Sequence, residues 1–224
     1  MTSAISSTAR LCGIAGLAGA LGTGLGEGLL QYAPGADFAD PNYNYFTSIA
    51  ISRQSAGHFI SVLSAPLYLL GYWHLTRNIA PARPRLSNAL FLFCAYAFML
   101  GAVWMGERYF LAATAHAIET GAASPALLED FARHNEPFVN ALRAAIVIFS
   151  AAWIYFIVSG QSRYPRFMAL FSPGAVLGAI FLLWMAAPAI GDKFLPTAMN
   201  TAHAIVFAMS LIFVRGTSRA VGKS

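Results

Sequence analysis

The sequence predicts an all-α fold: a polytopic bundle of six transmembrane helices with both termini in the cytoplasm. Three observations carry that prediction. The composition is too apolar for a soluble domain, six runs are long enough to cross a bilayer, and the basic residues are distributed to one side. Of 224 residues, 58% are apolar or aromatic and only 10% are Asp, Glu, Lys or Arg. An ordinary soluble domain has about 45–50% apolar and about 25% charged residues. So few charges cannot cover a globule of this size with a solvated skin, which excludes a soluble single domain. A disordered chain is excluded too, because disorder needs low hydrophobicity. The mean hydropathy of +0.60 agrees.

A spanning helix needs about 20 mostly apolar residues. Runs at 11–32, 55–75, 89–110, 138–160, 167–190 and 197–214 qualify, within a single transmembrane domain over 1–224. The first run is too long for a signal-peptide core, contains Glu27 and is followed by no A-x-A site, so it reads as a helix that stays. The third is expected to continue past the membrane through His116. Pro66, Pro173 and Pro188 predict kinks within spans. Between the first two runs, Tyr43, Tyr45 and Phe46 suit a membrane–water interface, and Asp40-Pro41-Asn42 reads as a turn. Ser124 followed by Pro125 reads as an N-cap and first helical position, predicting a short extracytoplasmic helix at 125–134. No repeat relates the first three spans to the last three, which weakens an inverted-repeat transporter reading.

The charges set the orientation. Arg10, Arg77, Arg83, Arg85, Arg163, Arg166, Arg215, Arg219 and Lys223 fall on one side with no acidic residue among them. All nine acidic residues fall toward the other side, joined only by Arg53, Arg108, Arg133, Arg143 and Lys193. The positive-inside rule places the first side in the cytoplasm of an inner membrane, crossed several times. The net charge of +5 is therefore a topological signal, and no nucleic-acid partner is expected, since the basic residues form no patch with interleaved aromatics. Cys12 and Cys94 sit inside apolar runs and make no disulfide framework.

Ionisable residues inside spans are costly and face a bundle interior or a wet cavity. The orientation puts Glu27, His58, Glu107, Arg108, Asn140, Arg143, Asn200 and His203 at a similar depth in the outer part of five helices. Helical spacing groups them: Thr23 and Glu27; Gln54, His58, Ser61, Tyr68 and Tyr72; Glu136, Asn140, Arg143 and Ser150; Asn200, His203, Phe207 and Ser210. An interior polar pocket opening to the extracytoplasmic side is the expectation. Plainer readings stand beside it. Glu107 and Arg108 can mark the end of a span, with Arg108 snorkelling. Arg143 can simply pair with Glu27 or Glu107, and His74 reads as interfacial, His116 and His134 as solvated. Gly16, Ala20, Gly24 and Gly28 form a small-residue seam that suits close helix packing, within the chain or between two copies as a homo-oligomer.

Three chemistries fit such a pocket. In the first, a membrane enzyme acts on a lipophilic partner, an isoprenoid, quinone or membrane lipid. Glu27 and Glu107 serve as general acid and base and His58 shares the proton. Arg143 and Arg108 bind an anionic head, with Asn140, Asn200 and Tyr68 completing the substrate site. In the second, His58 and His203 ligate a haem or a divalent metal, Glu27 completing a metal site; otherwise no cofactor is expected. In the third, the pocket binds or transports a solute without turnover. No H-E-x-x-H, G-x-S-x-G or nucleotide-binding loop occurs. The runs 26–34 (Gly-Glu-Gly-Leu-Leu-Gln-Tyr-Ala-Pro), Gly57-His58 and 65–73 (Ala-Pro-Leu-Tyr-Leu-Leu-Gly-Tyr-Trp) resemble small bacterial polytopic membrane proteins of unknown function. That resemblance covers about the first two spans. It implies an inner-membrane fold and supplies no activity, cofactor or catalytic residue.

Overall fold

Helix α1, Ser7–Gln31, packs against three other helices of the bundle, Ile51–Ser64, Leu67–Ile79 and Ala198–Phe213. The computed structural model describes residues 7–36, 40 and 43–214. Arg215, Arg219, Lys223, Asp37 and the Pro41-Asn42 part of the expected turn lie outside the described residues. All regular elements among the described residues are helical. Four of them are long and apolar enough to cross a membrane: α1, α4 (Pro84–Glu119), α5 (Pro125–Val158) and the segment Leu195–Phe213, which contains α8 (Ala198–Phe213).

Glycines let α1 sit where it does. A Cβ on Gly16 would lie 2.3 Å from the Cα of Gly71 in α3 (Leu67–Ile79), and one on Gly26 would lie 2.5 Å from the carbonyl oxygen of Gly57 in α2 (Ile51–Ser64). Both obstacles are backbone, so only glycine allows this approach. Gly24 and Gly28 face Asn200 and Thr197 at the start of α8 instead. The seam of Gly16, Ala20, Gly24 and Gly28 is thus used inside the chain, between α2–α3 and α8. Helices of the same chain pack along it.

The second predicted span is two helices. Pro66 lacks the N–H that would continue the ladder, and α2 ends at Ser64 while α3 begins at Leu67. The expected short helix at 125–134 starts as predicted, with Ser124 Oγ accepting from the Leu127 N–H, but it does not stop there. α5 runs through Pro137 to Val158 as one helix. Pro137 and Arg133, whose carbonyl loses a donor, are both exposed, so water can compensate that carbonyl. At about 1.5 Å per residue, α4 and α5, of 36 and 34 residues, each exceed the roughly 30 Å of a hydrocarbon core. Their joined ends form a projecting hairpin, in line with the expected extension of the third span past His116.

The predicted fifth span is broken. A 3-10 turn at Arg166–Phe171 precedes α6, Pro173–Ala186, and Pro188 starts the short α7, Pro188–Gly191. Pro173 kinks nothing: it occupies the first turn of α6, where a missing N–H costs no bond, and Ser172 Oγ accepts from the Ala175 N–H at 3.2 Å.

Polarity is distributed opposite to that of a soluble protein. Leu11, Leu21, Leu63, Leu92, Val147, Met185 and Ile212 are all more than half exposed, while Gln54, His74, Thr76, Asn78 and Ser210 are fully buried. Lipid tolerates the first arrangement and the second needs internal partners. At the end of the bundle near Ser7 those partners are present. His74 bonds the Ala9 carbonyl at 2.6 Å and Ser210 Oγ at 2.9 Å, and Tyr164 shares Ser210 at 2.6 Å. Arg163 reaches Asn78 Oδ1 at 3.3 Å. His74 is therefore a core group joining α3 to α8, which corrects its interfacial reading.

Candidate functional site

At the opposite end, a series of polar side chains runs from the core toward the surface. Glu27 is buried, and its carboxylate accepts from Gln31 Nε2 at 3.0 Å and Asn200 Nδ2 at 2.5 Å. Asn200 Oδ1 accepts from the buried Tyr68 hydroxyl. Gln31 lies one turn beyond Glu27 on the same face of α1, and its side-chain Oε1 accepts from Arg108 Nε at 3.1 Å and Nη2 at 2.7 Å. Arg108 Nη2 also donates to the Tyr45 hydroxyl at 2.6 Å, and Nη1 lies 3.5 Å from Glu136 Oε1. Four helices therefore converge through Tyr68, Asn200, Glu27, Gln31 and Arg108.

Arg108 is 5% exposed and does not snorkel. The turn Asn44–Ser48 covers it, and its guanidinium lies 5.2–5.3 Å from the ring centroids of Tyr43, Phe46 and Trp104. Cation–π contact supports a buried guanidinium in this way. Tyr43 closes the set in an uncommon conformation, with φ of 53°, which costs a residue with a Cβ about 1–2 kcal/mol. Its hydroxyl donates to Glu136 Oε1 at 2.7 Å. Burial first, and then the hydrogen bond to Glu136, push the Tyr43 phenol up to about 12. Burial likewise raises Tyr45, against the opposing pull of Arg108.

Three cavities flank this series. Beside Glu27 is a chamber of about 40 Å³, whose lining includes Thr23, Tyr68, Trp104 and Asn200. It admits a few water molecules and no lipophilic molecule. An open polar cleft of about 570 Å³ lies above Trp104 and Arg108, bordered by Asp40, Glu129, Arg133, Glu136 and Arg143. On the other side of the α4–α5 hairpin is a third cleft of about 440 Å³, mostly apolar, with Phe110, Leu111, Leu127 and Phe131 in its walls. Glu107, Thr114, His134 and Asn135 supply its polar groups, and Asn135 Nδ2 donates to Glu107 Oε2 at 3.0 Å.

The expected site residues thus separate into groups. Glu27, Asn200, Tyr68 and Arg108 come together. Glu107 faces the apolar cleft, away from them. Arg143 and Asn140 are exposed and bond each other at 3.0 Å, which corrects their place on the inner face of the fourth span. The inner face of α5 is Asn135, Val139, Leu142, Ile146, Phe149 and Trp153. Arg143 follows Leu142 by one residue and so turns about 100° away.

His58 packs against Tyr109 and, edge-on, Phe110, at ring distances of 5.3 and 6.3 Å. Among the described residues no hydrogen bond, ion pair or ring contact joins it to Glu27, Glu107 or His203. His203 instead accepts from the Tyr72 hydroxyl through Nε2 at 2.7 Å, while Nδ1 donates to the Met199 carbonyl at 2.6 Å. Both ring nitrogens of His203 are engaged, and the two histidines share no ligand cluster. Nor is His116 simply solvated: Nε2 bonds the Ile49 carbonyl at 3.0 Å, whereas His134 is exposed.

Gln31, Tyr43, Tyr45 and Asn135 belong to these sites and were not legible as members. Only Gln31 left a signal, its four-residue spacing from Glu27. The tyrosines join through a folded-over loop and Asn135 through helix pairing, neither of which a periodicity reports.

A family model described as a family of unknown function, DUF6796, matches residues 1–216. No curated protein and no solved structure matches the chain.

Proposed function

The chain belongs to DUF6796, and we propose that it is an integral membrane protein that binds a lipophilic molecule between α4 and α5 and carries out acid–base chemistry on it. The kinked pair α2–α3 and the broken segment from Arg166 to Gly191 each count as one crossing. With the four longer helices they give six, with both termini cytoplasmic. In support, Arg77, Arg83, Arg85, Arg163 and Arg166 all cluster at the end of the bundle near Ser7, and the outward belt of leucines suits lipid on every side.

One observation carries the functional reading: the cleft of about 440 Å³ with an apolar wall and Glu107 among its few polar groups. Ligand sites combine this size, roughly 300–1,000 Å³, with a mostly apolar lining and a few placed polar groups. Phe110, Leu127 and Phe131 are 57%, 42% and 41% exposed, so the cleft can receive an isoprenoid, quinone or lipid from outside the protein. Glu107 takes the acid–base role because its carboxylate borders that space, with Asn135 holding one oxygen. Glu27 has no room beside it for such a substrate.

Native mass spectrometry of the detergent-purified protein identifies the lipophile that co-purifies, and its conversion is then followed in proteoliposomes. The expected result is one bound lipophile, converted by wild type and slowed about 10²-fold or more in Glu107→Gln, as loss of a general acid or base does. Binding without conversion by the wild type overturns the enzymatic reading, and equal rates in Glu107→Gln overturn the assignment of that carboxylate.

A further inference from the structure

We propose that the chamber beside Glu27 is a water site that exchanges protons with the Glu27 carboxylate, with Trp104 as the wall toward the outer polar cleft. This stands apart from the Glu107 cleft and does not depend on it.

The polar atoms around the chamber define its occupant. Thr23 is 6% exposed, and its hydroxyl makes no hydrogen bond within the described protein; the same holds for the buried indole Nε1 of Trp104. Both residues line the chamber. Leaving a buried polar atom without a partner is costly, so the two together favour a ligand that satisfies both. Indole nitrogen only donates, a hydroxyl donates and accepts, and a carboxylate only accepts. Water meets all three: it accepts from Trp104 Nε1 and donates to Thr23 Oγ1 and to Glu27. A metal cation would meet the indole N–H, and an anion would meet the carboxylate. The volume of about 40 Å³ holds a few waters, each needing two to four polar partners.

Trp104 borders both this chamber and the open cleft of about 570 Å³ and stands as a wall between the two. In the proton step, a hydronium in the chamber gives its proton to a Glu27 oxygen, leaving water and a neutral carboxylic acid; the reverse step restores the carboxylate. Each Glu27 oxygen accepts one amide N–H, from Gln31 or Asn200, and keeps a second lone pair for this exchange. The charged and titratable groups facing Glu27 are Tyr68 from α3 and Arg108 from α4, the latter through Gln31, with Tyr45 from the covering turn. α8 offers the neutral Asn200. α5 offers Leu142 at the chamber, and Glu136 and Arg143 only across the wall.

Infrared spectroscopy of the full-length protein in detergent, titrated with pH and transferred to D₂O, tests this. A carboxylic C=O band that comes and goes with bulk pH, is lost in Glu27→Gln and shifts in D₂O as fast as the buffer mixes is expected. Thr23→Val keeps the chamber's shape and removes one water partner, so it should slow deuterium exchange of that band about five- to tenfold, the equivalent of one hydrogen bond. This variant keeps the proposal testable if Glu27→Gln fails to fold. A band that exchanges over hours, one that does not titrate, one displaced by Na⁺, or exchange unchanged in Thr23→Val overturns the proposal.

Discussion

Glu107 and Arg108 are neighbours in sequence and strangers in space. One residue of α helix turns the side chain by about 100°, which sends the carboxylate to the apolar cleft and the guanidinium into the core. Charge content alone gives both the same prior, as it does Arg108 and Arg143, and burial separates them. Arg108→Leu removes the donor to Gln31 Oε1 and to the Tyr45 hydroxyl, the ion pair with Glu136 and the cation beside three rings, and breaking a buried charged network typically costs about 3–5 kcal/mol. Arg143→Leu removes an exposed contact to Asn140, and such changes stay within about 0.5 kcal/mol. Thermal unfolding in one detergent should show a large drop in Tm for Arg108→Leu and almost none for Arg143→Leu; equal effects would contradict the burial of Arg108.

At the scale of elements, α1 shows how a glycine-rich helix holds a bundle that lipid does not drive together. Without a hydrophobic force between helices, close van der Waals contact carries the association, and Gly16 against Gly71 is the closest such approach of α1 to α3. Gly16→Leu should prevent α1 docking and abolish the monodisperse folded peak on size-exclusion chromatography. Gly178 in α6 has open space where a Cβ would go, so Gly178→Ala should raise Tm slightly, by the roughly 0.5–1 kcal/mol that glycine loses to alanine in a helix. The sequence displays both glycines alike. Their difference is a partner's backbone, and no spacing rule contains it. Helix starts were more legible: Ser124-Pro125 begins α5 where capping chemistry says it should. Its end near 134 was misjudged because Pro137 is tolerated on an exposed face.

For the whole molecule, the proposed function requires the orientation in which the basic loops face the cytoplasm. In a background lacking Cys12 and Cys94, Ala122→Cys should react with an impermeant maleimide added outside sealed spheroplasts. Ala82→Cys should react only after permeabilisation, and the opposite pattern overturns the orientation. The sequence by itself determined the helical class, most of the long apolar runs and the special standing of Glu27, because hydropathy, length and an isolated charge are properties of a segment on its own. Only the tertiary structure decided that Arg108 and Glu27 belong to one hydrogen-bonded series, that Glu107 and Arg143 do not, and that the glycine seam is used within the chain. Those outcomes depend on which face of each helix meets which neighbour, and a rotation of one residue, about 100°, is enough to move a charge from core to surface.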